Sequence, residues 1–305
     1  LIEIKKNISD VYFPKYIETE GGCHASQDQI NKLAEAFGAT SRPKQKKKDP
    51  KVALEHCLAV ALEDFNHDRE VYQTILNHEA LAEYGMDVPS FKNKVLRDQI
   101  PIIRKTLQNK VAKELDKYRV AFSLAQPGDL FKVTMNIVTL ATDLRENSYV
   151  SREFEKTKKC SDLVHHKFDH EDYTAYGVIG GGIKSHFIYK IYPEMFPNRG
   201  REAIWALWYL SNKKKFGCKE DSEFLMIDVS NGSTQQNYFY PYGLFAFYAL
   251  KIYDELRNIY LKHGITLAAD YRFIPVDSFL SFVSRQHQSE IDILKERSSS
   301  YQYEH

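Results

Sequence analysis

Apolar side chains return every three or four residues through most of the first 148 positions. A chain patterned this way buries them by forming helices that pack on one another. Ile103, Leu107, Val111, Leu115, Tyr118 and Phe122 keep the rhythm for about five turns. Leu130, Thr134, Ile137, Ala141 and Leu144 resume it after the Gln126-Pro127-Gly128 break. Leu54, Leu58, Leu62 and Phe65 form an earlier stripe. Asp49 is its expected cap and Pro50 its first residue, where a missing N–H costs nothing. Val71, Tyr72, Ile75 and Leu76 predict a further helix ending near Gly85. Ser90 is expected to cap the next, which Pro101 kinks or restarts. Near the start, Ser26 and Gln29 make a capping box ahead of Ile30, Leu33, Ala34 and Phe37, and Gly38 supplies the stop. Leu1–Ile4 reads as a short strand. Residues 41–51 form a basic linker, with Arg42 and five lysines but too little apolar surface to order itself. Short connections make residues 1–148 an antiparallel helical array.

Residues 149–297 read as a mixed α/β region, and 298–305 as a disordered tail. Asn198 is expected to cap a helix holding Ile204, Trp205, Leu207, Trp208 and Leu210. Phe224–Val229 is a short apolar run between polar turns, the pattern of a buried strand. Asn231-Gly232 is a hairpin-type turn signal, and Tyr238-Phe239-Tyr240 supplies a returning strand. Pro241 opens a long helix through Leu244, Tyr248, Ile252 and Leu256, stopped by Gly264. Asp277 is expected to cap a last helix through Leu280, Val283, His287, Ile291 and Leu294. The predicted fold class is therefore mainly α: an N-terminal helical array plus a C-terminal mixed region with a small β-hairpin or sheet.

Charge narrows the function classes. Lys plus Arg number 42 and Asp plus Glu 41 in 305 residues, a net charge of +1. This argues against a wholly basic nucleic-acid coat protein and against a strongly acidic mimic, while leaving room for local patches. The four cysteines, Cys23, Cys57, Cys160 and Cys218, are far apart, and no pair has zinc-knuckle or redox spacing. Reduced thiols in a cytoplasmic protein are the simplest expectation. No run of about 18 apolar residues is present, so no membrane span is expected. There is no signal-peptide pattern, and the chain opens on Leu1 rather than methionine, which leaves room for residues upstream.

Reactive groups concentrate between Asp162 and Tyr242. Were residues 162–170 α-helical, Asp162, His166 and His170 would share a face, half of a site for a divalent metal such as Zn²⁺ or Mn²⁺. The residue after His166 is Lys167, so the HExxH pattern is not met, and the competing reading is a charge-laced solvated helix. Gly180-Gly181-Gly182 precedes Lys184 and Ser185; glycines there let a backbone approach a phosphate at a helix start. Gly177 and Gly182 have Walker A separation, but Ile183 stands where the lysine belongs. A glycine turn between packed elements is the alternative.

Asp221, Glu223 and Asp228, with Glu220, form an acidic set around the apolar run. With Lys184 these are the candidate catalytic residues of a metal-dependent phosphodiesterase. Arg199 and Arg201 stand at a predicted helix start, where cations oppose the helix dipole unless an anion or Glu202 compensates. Tyr189, Tyr192, Trp205, Trp208, Tyr238 and Tyr240 add aromatic faces suited to single-stranded nucleic acid, although helical spacing puts most of them in the core. No G-x-S-x-G elbow supports a serine hydrolase.

The function expected from these residues is binding of a phosphate-bearing partner, foremost nucleic acid, through Gly180, Gly181, Gly182, Lys184, Ser185, Arg199 and Arg201. The alternatives are a metal-dependent nuclease and a protein-protein interaction module.

Overall fold

The computed structural model describes residues 1–19, 49–112, 115–213, 226–228, 233–235 and 241–301. The chain opens with helix α1 (Ile2–Asn7), a π-helical turn Ile8–Tyr12 and α2 (Phe13–Glu18) in unbroken succession. The strand expected at Leu1–Ile4 is thus the start of a helix. Ile4, Ile8, Tyr12, Phe13 and Tyr16 are all buried; a strand would send the neighbours Tyr12 and Phe13 to opposite faces, whereas the three/four spacing keeps all five on one side of a helix. The capping box at Ser26, the helix to Gly38 and almost all of the basic linker lie outside the described residues.

Helix α3 (Pro50–Asn66) begins as its sequence predicts, with the Asp49 carboxylate accepting the Lys51 amide at 2.9 Å. Then come α4 (Arg69–Ile75) and α5 (His78–Tyr84). The next helix starts one turn earlier than expected: Asp87, not Ser90, is its cap, accepting the Ser90 amide. Its first turn, α6 (Val88–Ser90), widens into a π-helix over Phe91–Gln99, and Pro101 restarts the chain as α7 (Pro101–Gln108). The single long helix expected through Phe122 is divided, because the chain leaves α7 at Asn109 and resumes as α8 (Asp116–Leu124). Val111, placed by its spacing in the apolar stripe, is 93% exposed. Helix α9 (Pro127–Asn147) follows the Pro127 signal, and α10 (Ser151–Glu155) ends the first half.

The expected C-terminal mixed region is overturned. This half is helical: α11 (Gly181–Ile191), α12 (Arg201–Leu210), α13 (Tyr242–Lys262), α14 (Phe273–Gln286) and α15 (Gln288–Tyr301). Among the described residues, extended pairing is limited to Met226–Asp228 against Ser233–Gln235 and one bridge between Ala175 and Ile179. Among the described residues no sheet layer takes part in the core. A short apolar run does not itself distinguish strand from buried helix, and most of Phe224–Tyr240 lies outside the described residues. Asp277 is not a cap. It sits in the second turn of α14, and the predicted last helix breaks at His287 into α14 and α15.

One hydrophobic cluster runs from Ile4 to Leu294, crossing the boundary expected near residue 148. Helix α14 lies at its centre, in contact with α3, α12 and α13. Its Phe279 and Phe282 rings meet Tyr16 edge-on at 5.5 and 5.2 Å, and the Tyr16 hydroxyl lies 3.1 Å from Ser278 Oγ. At the N-terminal end of α14 the guanidinium of Arg272 is fully buried. It donates to the Tyr149 hydroxyl (2.7 Å), Ser151 Oγ (2.9 Å), Glu155 Oε1 (2.7 Å) and the Glu194 carbonyl. No described helix is long and apolar enough to cross a membrane.

Candidate functional site

The glycine turn is where the sequence pointed first. Gly180 is the N-cap of α11, and Gly181 its first residue. A Cβ on Gly181 would lie 1.9 Å from Arg199 Nη1, so the glycine exists to let the guanidinium lie against the helix start. Gly182 meets nothing closer than the Arg199 carbonyl at 3.9 Å. Ser185 locks the same joint: its hydroxyl donates to the Gly182 carbonyl (3.1 Å) and accepts the Arg199 amide (3.0 Å).

Lys184 is buried, and its ammonium donates to the Phe168 carbonyl and to Thr174 Oγ1 at 3.3 Å. Burial lowers its pKa to about 8, with the Asp169 carboxylate opposing and the Arg199 charge assisting. Asp169 in turn accepts the amides of Tyr242 (2.6 Å) and Gly243 (3.4 Å), capping α13 from 73 residues away. Gly180, Gly181, Gly182, Lys184, Ser185 and Arg199 therefore do converge. The carboxylate nearest their charges is the protein's own Asp169.

The expected metal residues do not converge. Val164–Asp169 is a 3-10 helix and His170 has extended backbone, so the one-turn spacing assumed for His166 and His170 fails. His166 Nδ1 bonds the Leu163 carbonyl at 2.7 Å, His170 Nδ1 lies 3.1 Å from Asp172, and Asp162 accepts the Lys159 amide. Among the described residues no group of three or more His, Cys, Asp or Glu side chains is placed to hold a metal ion. Asp221 and Glu223 lie outside the described residues, and of Asp228 only the backbone, in Met226–Asp228, is described.

Beyond Arg199 the chain reaches a cavity of about 420 Å³ between α12, α14 and α15. One wall is the first turn of α12: Gly200, Arg201, Glu202 and Ala203, with Trp205 behind. Gly200 is the N-cap, and having no side chain it offers nothing to the amides of that turn. Trp205 is 1% exposed, and among the described residues its indole Nε1 has no hydrogen-bond partner. Buried indole N–H groups ordinarily find an acceptor.

The facing wall is α14, through Asp277, Ser281 and Ser284, extended by Gln288 of α15. Asn198 does not cap α12. Its Nδ2 donates to Asp277 Oδ1 at 3.0 Å, and the Tyr189 hydroxyl also bonds this carboxyl. Burial pushes Asp277 up to about 7; the Asn198 bond opposes, the Glu202 charge adds, and Lys190 and Tyr189 oppose.

Behind Asp277 the polar seam continues inward. Burial draws His186 down to about 4, with Lys190 assisting and Asp68 opposing. Lys190 itself is 2.7 Å from Asp68 and donates to the Phe65 carbonyl.

Of the residues expected to bind, only Arg201 lines this cavity. Asn198, Glu202, Asp277, Ser281 and Ser284 were not among them, and Trp205 was expected only as one of several aromatic faces. One signal was present: in the mostly apolar segment Phe273–Ser284, Asp277, Ser281 and Ser284 recur at helical spacing, with Ser278 the one other polar residue. Tyr189, Trp205 and Trp208 are buried, so their rings build the core rather than an exposed stacking platform. No family model, curated protein or solved structure matches this chain.

Proposed function

We propose that this protein binds a phosphate-bearing ligand in the cavity at the start of α12. The observation that carries the reading is a coincidence on one wall: the first turn of a ten-residue helix whose N-cap Gly200 offers its amides no side chain, Arg201, and the ring of Trp205 line one space. Helix-start amides carry partial positive charge and suit phosphate oxygens. Arg201 adds a charged donor fork. Asp277, pushed up to about 7, is partly neutral at physiological pH, which lessens the negative charge an anion meets there. A volume of about 420 Å³ accepts a small molecule or a single nucleotide unit and excludes a duplex. A nucleic acid would engage this cavity by a single-stranded end.

The chain has two tryptophans; Trp205 lines the cavity and Trp208 packs against it, so their emission is a probe of the cavity. Titration with inorganic phosphate should give a saturable change in fluorescence. Arg201→Gln should weaken it about tenfold, the usual scale for losing a charge-assisted hydrogen bond. A response that never saturates, or one indifferent to Arg201→Gln, overturns the reading.

A further inference from the structure

The wall opposite the helix start has its own chemistry. Helix α14 is enclosed by α3, α12 and α13, and Phe273, Ile274, Val276, Phe279, Leu280 and Val283 are buried. Its polar stripe of Asp277, Ser281 and Ser284 lines the cavity, the first two half-buried at its wall. Ser284 is only 2% exposed. Among the described residues neither serine hydroxyl is bonded to a protein group. The Asp277 carboxyl is held by Asn198 and Tyr189, which fixes its plane and leaves acceptor sites over, since a carboxylate can accept about four hydrogen bonds. The cavity is thus two-ended, with anion-seeking donors on α12 and a ladder of hydroxyls and an acceptor carboxyl on α14.

We infer that the ligand's phosphate is carried on a polyhydroxylated ring, a sugar phosphate free or within a nucleotide, whose hydroxyls are read by Asp277, Ser281 and Ser284. This rests on the phosphate reading above. Vicinal hydroxyls donate to a carboxylate and exchange hydrogen bonds with serines, whereas a bare phosphate would leave this wall unmatched. A cation would suit Asp277 and Glu202 but not the helix start with Arg201. An apolar ligand would leave both walls unpaired.

The test is calorimetric titration of the whole protein with inorganic phosphate, ribose 5-phosphate and adenosine monophosphate. Ribose 5-phosphate should bind about tenfold tighter than inorganic phosphate, one charge-assisted hydrogen bond's worth of affinity. Asp277→Asn should shrink that ratio toward unity. Ser281→Ala, a smaller change, should shrink it in part and serves should Asp277→Asn not fold. Adenosine monophosphate tighter than ribose 5-phosphate identifies a nucleotide as the source; equal affinities identify a free sugar phosphate. If phosphate and ribose 5-phosphate bind equally, the inference fails and the phosphate site stands. If no probe binds, both fall together.

Discussion

Replacing Asp277 with asparagine should stabilise the protein at neutral and alkaline pH and do little in acid. The carboxyl lines the cavity beside α12, with burial raising its pKa from an ordinary 3.8 to about 7. Between those two values the folded protein keeps a proton that the unfolded chain has shed. Stability therefore falls as pH rises through this window, and the loss is complete above pH 7. The full window corresponds to about 4 kcal/mol at ~1.36 kcal/mol per pH unit. Asparagine is nearly isosteric, keeps an acceptor for Asn198 Nδ2 and never ionises. The difference in unfolding free energy, variant minus wild type, should be close to zero near pH 4. It should climb with pH and level off at about 2–4 kcal/mol near pH 8.

Urea unfolding across that range measures the difference directly. His165, buried, and His186, half-buried, are both drawn down to about 4 and work in the opposite sense: they lose stability as pH falls below 6.5. Both proteins contain them, so they cancel in the comparison. A difference that does not vary with pH, or one that shrinks between pH 5 and 8, would refute the claim that burial raises the Asp277 pKa.

The glycine turn offers a contrast within three residues. Gly181→Ala should cost about 1–3 kcal/mol by thermal or urea unfolding, because the new methyl collides with the buried Arg199 guanidinium. Gly182→Ala should be neutral or stabilising by up to about 1 kcal/mol, since nothing lies nearer than 3.9 Å and alanine favours the helix. Asp169→Ala removes the cap of α13 and should lower stability by about 0.5–2 kcal/mol. Arg272→Met leaves Glu155 short of a buried partner and should cost about 3–5 kcal/mol in chemical denaturation; a smaller loss would mean that Arg257 alone balances Glu155.

Much of the helical framework is legible along the chain. Asp49-Pro50, Pro127 and Pro241 stand at the starts of α3, α9 and α13, and Gly264 follows the end of α13 with φ +74°. Each of these signals acts through its own backbone dihedral or an amide within one turn, so neighbouring residues suffice to express it. Where the reading failed, a local pattern had two outcomes. Leu1–Ile4 is apolar enough for a strand, but burial at positions 4, 8, 12, 13 and 16, with two neighbours on one side, fits a helix and not a strand. Asp277 has the chemistry of a cap, yet the apolar residues Phe273, Ile274 and Val276 before it carry the helix through. His166 and His170 would share an α-helical face, but their segment winds as a 3-10 turn.

From its residues alone, then, this chain is set to be helical and to bring glycines, lysine and arginine together near residues 180–201. Their use is decided only by the fold. Asp169 reaches α13 across 73 residues and Asn198 reaches Asp277 across 79, and those two pairings divide the charged groups between a structural joint and an open cavity. Side-chain hydrogen bonds extend about 3 Å, so which groups meet depends on how distant helices dock, and no spacing along the chain encodes that distance.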